Sequence, residues 1–130
     1  MQARAADAAE KLRGQLGDEA VITERDRLEE FGGDKWFAHR RPDLAACPKN
    51  SAEVAAVMKI ASEYRLPVTT RGAGYGYVGG SVPARGGVVL AMKGMNRIKE
   101  IDGADFVAVV EPGVVTGDLQ SAARKKGLYY

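Results

Sequence analysis

Apolar positions fall in short blocks along the chain, and their spacing changes character several times. Ala3 to Leu16 is rich in alanine, with Leu12 and Leu16 four apart and Gly17 placed to stop it, which predicts a helix. Ala20 to Ile22 reads as a short strand. Thr23, with Asp26 three residues on, reads as the cap of a short charged helix ended by Gly32-Gly33-Asp34. Lys35 to Asp43 shows no period and is expected to be an extended loop. Leu44 to Cys47 is an apolar run before Pro48, a strand pattern. Asn50 and Glu53 have capping-box spacing. After them Val54, Val57, Met58, Ala61 and Tyr64 recur as on the buried face of a helix, which Pro67 terminates.

Val68 to Thr70 and Val88 to Met92 are strand-like and flank a glycine-rich segment. The order from Leu44 to Met92 is therefore strand, helix, strand, loop, strand. It predicts that the three strands share one sheet with at least one parallel crossover, the helix packing on it through Val54, Val57, Met58 and Ala61. Arg97 to Ile101 and Phe106 to Val110 read as a hairpin around Asp102-Gly103. Glu111-Pro112-Gly113 breaks the second strand. Thr116 is placed to cap a last helix bearing Leu119, Ala122 and Ala123, with Gly127 as its stop. Leu128-Tyr129-Tyr130 reads as the opening of another strand, so a fragment of a longer protein is expected. The fold class is α+β.

Composition narrows the picture. The chain has 130 residues, 45% hydrophobic and 28% charged, enough for one packed domain and inconsistent with disorder. With 19 basic and 17 acidic residues interspersed, the net charge of +2 provides no strong field for nucleic acid or anionic lipid. Any anion must be bound by local geometry. Arg4, Asp7, Glu10 and Lys11 leave no long apolar run at the N-terminus, which argues against a secretory signal peptide, and no stretch approaches the roughly 18 apolar residues of a membrane span. The one cysteine, Cys47, excludes an internal disulfide and fits a reducing compartment; a cytoplasmic location is expected.

Glycine is the informative excess. Of 16 glycines, eight lie between Gly72 and Gly94, and five of those fall between Gly72 and Gly80. The segment Arg71-Gly72-Ala73-Gly74-Tyr75-Gly76-Tyr77-Val78-Gly79-Gly80-Ser81 follows one strand and precedes a buried one. A pyrophosphate needs several backbone N–H groups converging on a small volume, often with positive φ, and glycine meets both demands. A tight or flexible turn is the plainer reading, but the flanking strands favour a phosphate loop. Gly74, Gly76 and Gly79 also satisfy G-x-G-x-x-G. That fingerprint requires a helix to open at the loop, and Gly80-Ser81-Val82-Pro83-Ala84-Arg85-Gly86-Gly87 is a poor helix former. A nicotinamide site of Rossmann type is therefore demoted. A P-loop lacks its Gly-Lys-Ser/Thr.

Several spaced motifs carry a resemblance: Pro48-Lys49-Asn50-Ser51-Ala52-Glu53-Val54, Leu66-Pro67-Val68, Arg71-Gly72-Ala73-Gly74, Gly79-Gly80, Gly86-Gly87-Val88-Val89-Leu90, Met95-Asn96-Arg97-Ile98 and Val110-Glu111-Pro112-Gly113-Val114. In this order they resemble the first part of the FAD-binding, PCMH-type domain of the vanillyl-alcohol oxidase and p-cresol methylhydroxylase superfamily. The branch resembled is that of the glycolate oxidase FAD subunit, D-lactate dehydrogenase and D-2-hydroxyglutarate dehydrogenase. The likeness covers Arg41 to Tyr130, leaving residues 1–40 as an N-terminal helical extension.

The resemblance implies FAD lying between two α+β subdomains, the second truncated here. It implies cofactor contacts from Arg71, Gly72, Ala73, Gly74, Tyr75, Gly76, Gly79, Gly80 and Ser81, and from Pro112 where the second subdomain begins. It also implies a 2-hydroxy-acid substrate and an electron acceptor, with hydride passing from substrate to FAD. Tyr75 departs from the threonine of many relatives. The residues that choose substrate and take its proton lie later in the family's chains, so no catalytic residue is assigned. The isolated fragment is expected to be inactive, to self-associate, and alternatively to serve as a non-catalytic binding or interaction module.

Other residues have plainer readings. His39, the lone histidine, reads as solvated, since no motif places it in a covalent flavin link. Cys47 reads as a small buried side chain, and one His with one Cys makes no zinc site. Arg124-Lys125-Lys126 reads as complementing a helix dipole. Arg71 is suited to a phosphate or to a carboxylate, and Trp36 and Phe37 to the core or to a ligand.

Overall fold

The structure, a computed structural model, describes residues 3–130. Helix α1 spans Ala3–Leu16, and Gly17, at φ +87°, follows it. Strand β1 (Val21–Ile22) follows, then the short helix α2 (Arg25–Leu28), strand β2 (Leu44–Ala46), helix α3 (Ser51–Glu63) and strands β3 (Val68–Arg71) and β4 (Val88–Ala91). A hairpin of β5 (Ile98–Asp102) and β6 (Val107–Val110) and helix α4 (Thr116–Lys125) complete the chain.

The main sheet has the order β1-β2-β4-β3. Strand β4 lies parallel to both neighbours, Val88 pairing with Leu44 on one side and Val68 on the other. The three expected strands thus share one sheet. Strands β2 and β4 are buried along their whole length, as befits parallel strands covered on both faces. Leu44, Ala46, Val88 and Leu90 face the helices, where Ala5, Ala8, Ala9 and Leu12 of α1 and Val57, Ile60 and Ala61 of α3 meet them. The alanines let α1 lie close. The opposite face, Ala45, Val89 and Ala91, is covered by Leu28 and Phe31, with half-buried Cys47 against it.

The capping box forms with its return bond one residue before the N-cap. Asn50 Oδ1 accepts from Glu53 N–H at 3.0 Å, and Glu53 returns a carboxylate oxygen to Lys49 N–H at 2.8 Å. Several expectations are corrected. Met58 is 47% exposed and Ile60 takes its place, because the buried stripe of α3 is centred on Val57 and Ala61. Thr23 caps nothing: its hydroxyl accepts from Arg13 at 2.7 Å, and Glu24 occupies the N-cap of α2. Thr116 lies inside α4 behind an N-cap at Val115. Phe106 stands in the hairpin turn with φ +57° rather than in β6. Leu128–Tyr130 forms no strand; Leu128 N–H instead closes the end of α4 on Ala123 O at 3.0 Å.

Candidate functional site

Strands β3 and β4 are adjacent and parallel, so the chain must return from one end of the sheet to the other between them. Such a crossover is ordinarily a helix. Here residues 72–87 make it with turns and bends alone. The helix that a Rossmann fingerprint requires after Gly79 is therefore missing, and that reading fails on geometry.

An irregular crossover leaves its backbone polar groups without a ladder. Among the described residues, no backbone N–H from Gly72 to Gly80 donates to another group of the chain. Buried N–H groups are almost always paired, and a surface run of unpaired donors is what a phosphate cradle presents. Gly74 and Gly79 both sit at φ +74°, a conformation open to glycine at little cost.

Of the candidate residues, Gly72, Ala73, Gly76 and Gly80 are exposed, while Arg71, Gly74, Gly79 and Ser81 are half-buried. Gly72 and Pro112 come together: a Cβ on Gly72 would stand 3.5 Å from the Pro112 carbonyl oxygen. The Tyr75 side chain is 68% exposed, and the Lys35 ammonium lies 4.8 Å from its ring centroid. Arg71 turns back from the loop. Its guanidinium donates to the Gly33 carbonyl and fills the space under Gly74 where a Cβ would stand.

The segment before β2 also reaches this loop. Lys35 N–H donates to Gly76 O at 2.9 Å, Asp34 Oδ2 lies 3.5 Å from Ser81 N, and a Gly79 Cβ would stand 3.4 Å from the Trp36 indole. Sequence reasoning missed these contacts because they join residues far apart in a stretch without periodicity. Trp36 stacks on Phe37 with ring centroids 4.5 Å apart. His39 is occupied structurally, its Nε2 3.0 Å from the Glu29 carbonyl and its ring under Gly32.

The far side of the loop meets the hairpin through Glu111-Pro112-Gly113. Glu111 is 4% exposed and takes three hydrogen bonds from Arg97, from its backbone N–H, Nε and Nη2, at 3.0, 3.0 and 2.7 Å. Those bonds hold its carboxyl below the usual carboxylate range. Gly113 N–H donates to Met95 O at 2.8 Å, and a Cβ on Gly113 would run into the Met92 carbonyl. Burial pushes the Cys47 thiol up, leaving it less reactive than a free thiol.

Residues 42–130 match the family model described as FAD binding domain. The chain belongs to that family. The FAD-binding domain is 44% identical over 89 residues to the glycolate oxidase subunit GlcD of Bacillus subtilis, covering 68% of this chain and 19% of that protein. It is 35% identical over 118 residues to a D-lactate dehydrogenase of Anaerostipes hadrus, covering 89% of this chain and 25% of the relative. Its fold superposes on p-cresol methylhydroxylase, solved with substrate bound, with a TM-score of 0.85 at 30% identity, over 98% of this chain and 26% of that one. The chain thus spans about a fifth to a quarter of the proteins it matches. FAD is the cofactor of this domain, and the unpaired donors of residues 72–80 suit its pyrophosphate. Among the described residues, no helix is long and apolar enough to cross a membrane.

Proposed function

We propose that the FAD-binding domain holds the cofactor's pyrophosphate on the backbone N–H groups of the 72–81 loop, and that the full-length protein oxidises a small 2-hydroxy acid. The observation that carries the first part is the run of N–H groups from Gly72 to Gly80 without an acceptor among the described residues. Each such bond to a phosphate oxygen is charge-assisted and contributes roughly 1.5–3 kcal/mol, so a few are enough in a domain whose net charge is only +2.

The contacts assigned are those of Gly72, Ala73, Gly74, Tyr75, Gly76, Gly79 and Gly80 through the backbone, and of Ser81, whose N–H faces Asp34, through its hydroxyl. Pro112 lies beside Gly72 at the hairpin end, and Arg71 supports Gly74 from beneath. Tyr75, its side chain exposed, contributes its backbone N–H rather than its phenol. Bound FAD supplies the hydride acceptor, while the protein orients it and keeps its phosphates in place. The 2-hydroxy-acid assignment rests on likeness to the glycolate oxidase subunit and the D-lactate dehydrogenase, and an electron acceptor completes the cycle. The one cysteine of this chain, half-buried, fits a reducing compartment such as the cytoplasm.

The test is spectroscopic. The full-length protein should purify with flavin absorption bands, and anaerobic addition of glycolate, D-lactate or D-2-hydroxyglutarate should bleach them. A colourless protein that takes up no FAD refutes the first part. Flavin bands that none of the three acids bleaches refute the second.

A further inference from the structure

We propose that Asp34, Lys35 and Trp36 form a strap that keeps the 72–81 loop in its phosphate-binding shape, making Asp34 and Trp36 positioning residues for the cofactor; this rests on the FAD reading above. All three precede residue 42, where the match to the family model begins.

The loop needs external support. Its N–H groups from Gly72 to Gly80 make no bonds within the chain, so it has no ladder or helix of its own to fix its path. Donors left free for a ligand are worth most when they already converge, because ordering them on binding subtracts from affinity. Three consecutive residues touch the loop at three separated points. Lys35 N–H donates to Gly76 O at 2.9 Å. The Trp36 indole lies against Gly79, close enough that a Cβ there would be 3.4 Å away. Asp34 Oδ2 faces Ser81 N–H at 3.5 Å and would stand 3.3 Å from a Gly76 Cβ.

Asp34 is the pivot. Its other oxygen, Oδ1, accepts from Trp36 N–H at 2.8 Å, the local turn that presents the indole to Gly79. The strap is itself tied down. Arg71 donates to Gly33 O, Arg40 N–H donates to Gly32 O at 2.8 Å, and Gly33 pairs with His39. A Cβ at Gly76 would press on the Asp34 carboxylate at 3.3 Å, and Gly79, at φ +74°, lies in van der Waals contact with the Trp36 indole.

The experiment uses the full-length protein, freed of flavin and titrated with FAD by fluorescence quenching, together with limited chymotrypsin cleavage of the apo form after Tyr75 and Tyr77. Asp34→Ala and Trp36→Ala are expected to weaken FAD binding about tenfold or more and to speed cleavage in the loop. Trp36→Phe, which keeps an aromatic ring on Gly79, should restore most of both. Lys59→Ala on α3 is the control and should change neither. Unchanged affinity and cleavage in both alanine variants would overturn the strap. Tighter FAD binding by Asp34→Ala would also overturn it, since the carboxylate would then be competing with phosphate for the loop's donors. Failure of the wild-type protein to bind FAD would count against the proposed function instead, and the cleavage rates would still decide the strap.

Discussion

Glu111 and Arg97 lock the start of the hairpin to its end: the buried carboxylate of Glu111 receives the backbone N–H, Nε and Nη2 of Arg97, the shortest at 2.7 Å. Glu111 N–H in turn donates to Arg97 O at 2.9 Å. The pair fixes where Pro112 emerges next to Gly72, so an ion pair on the hairpin sets one boundary of the 72–81 loop.

A pH dependence follows from that pair. The hydrogen bonds from Arg97 lower the folded-state pKa of Glu111. A carboxyl whose folded pKa is depressed contributes stability that is full above its unfolded value, roughly 4.3, and is lost as pH falls through the folded value. Glu111→Gln should therefore lower the melting temperature at neutral pH and flatten its decline on the acid side. Melting curves from pH 7 downwards check this. An equal acid-side decline in both proteins would remove Glu111 from the account.

Gly74 tests the cradle directly. Its φ of +74° strains any β-branched residue, at about 1–3 kcal/mol, and a side chain there would displace the Arg71 guanidinium from beneath the loop. Gly74→Val in the full-length protein should lose FAD, whereas Lys59→Ala should retain it. Flavin content after purification is the measurement, and equal content in the two would argue against a backbone phosphate site.

Gly113 and Gly117 should respond oppositely to alanine. At Gly113 the new methyl would meet the Met92 carbonyl and stand 2.8 Å from Met95 O, both backbone atoms, so the chain must shift. Overpacking of this kind costs about 1–3 kcal/mol. Gly117 lies in α4 with open space around it, and Gly117→Ala should stabilise by about 0.5–1 kcal/mol. Urea midpoints that move in the same direction for both would contradict the packing described.

Local patterns made much of the fold legible. The bounds of α1, the Asn50–Glu53 box and the three parallel strands follow from periodicity, capping chemistry and unbroken apolar runs. The glycine density after β3 marked the candidate loop. What sequence could not supply were contacts between distant residues. Asp34 closes a helix stop and Lys35 and Trp36 open a stretch with no period, and their partners lie about forty residues on. Caps failed for a related reason: Thr23 is drawn away by Arg13, a tertiary partner that outcompetes the local bond. Met58 satisfied the helical spacing but lies at the rim of the stripe, where Ile60 packs better.

The last prediction concerns the 130-residue chain by itself. One face of the hairpin is apolar and open. Phe106 is 81% exposed, Tyr129 is 91% exposed, and Val107 and Tyr130 stand beside them around a cavity of about 220 Å³ between β5, β6 and α4. Contiguous exposed apolar surface favours association, and among the described residues the two hairpin strands pair only with each other, which leaves their outer edges free. The chain also covers only 19% of the glycolate oxidase subunit and 25% of the D-lactate dehydrogenase, and part of the FAD contacts is expected to lie in the remainder. Each missing charge-assisted hydrogen bond removes roughly 1.5–3 kcal/mol, and about 1.4 kcal/mol is a tenfold change in affinity. The isolated chain should therefore bind FAD weakly, turn over no 2-hydroxy acid, and sediment as an oligomer that Phe106→Glu shifts toward monomer. Fluorescence titration with FAD and sedimentation equilibrium decide the matter. Submicromolar FAD binding would mean that the 72–81 loop grips the cofactor unaided, and a monomer at high concentration would mean that the hairpin face is stable in water.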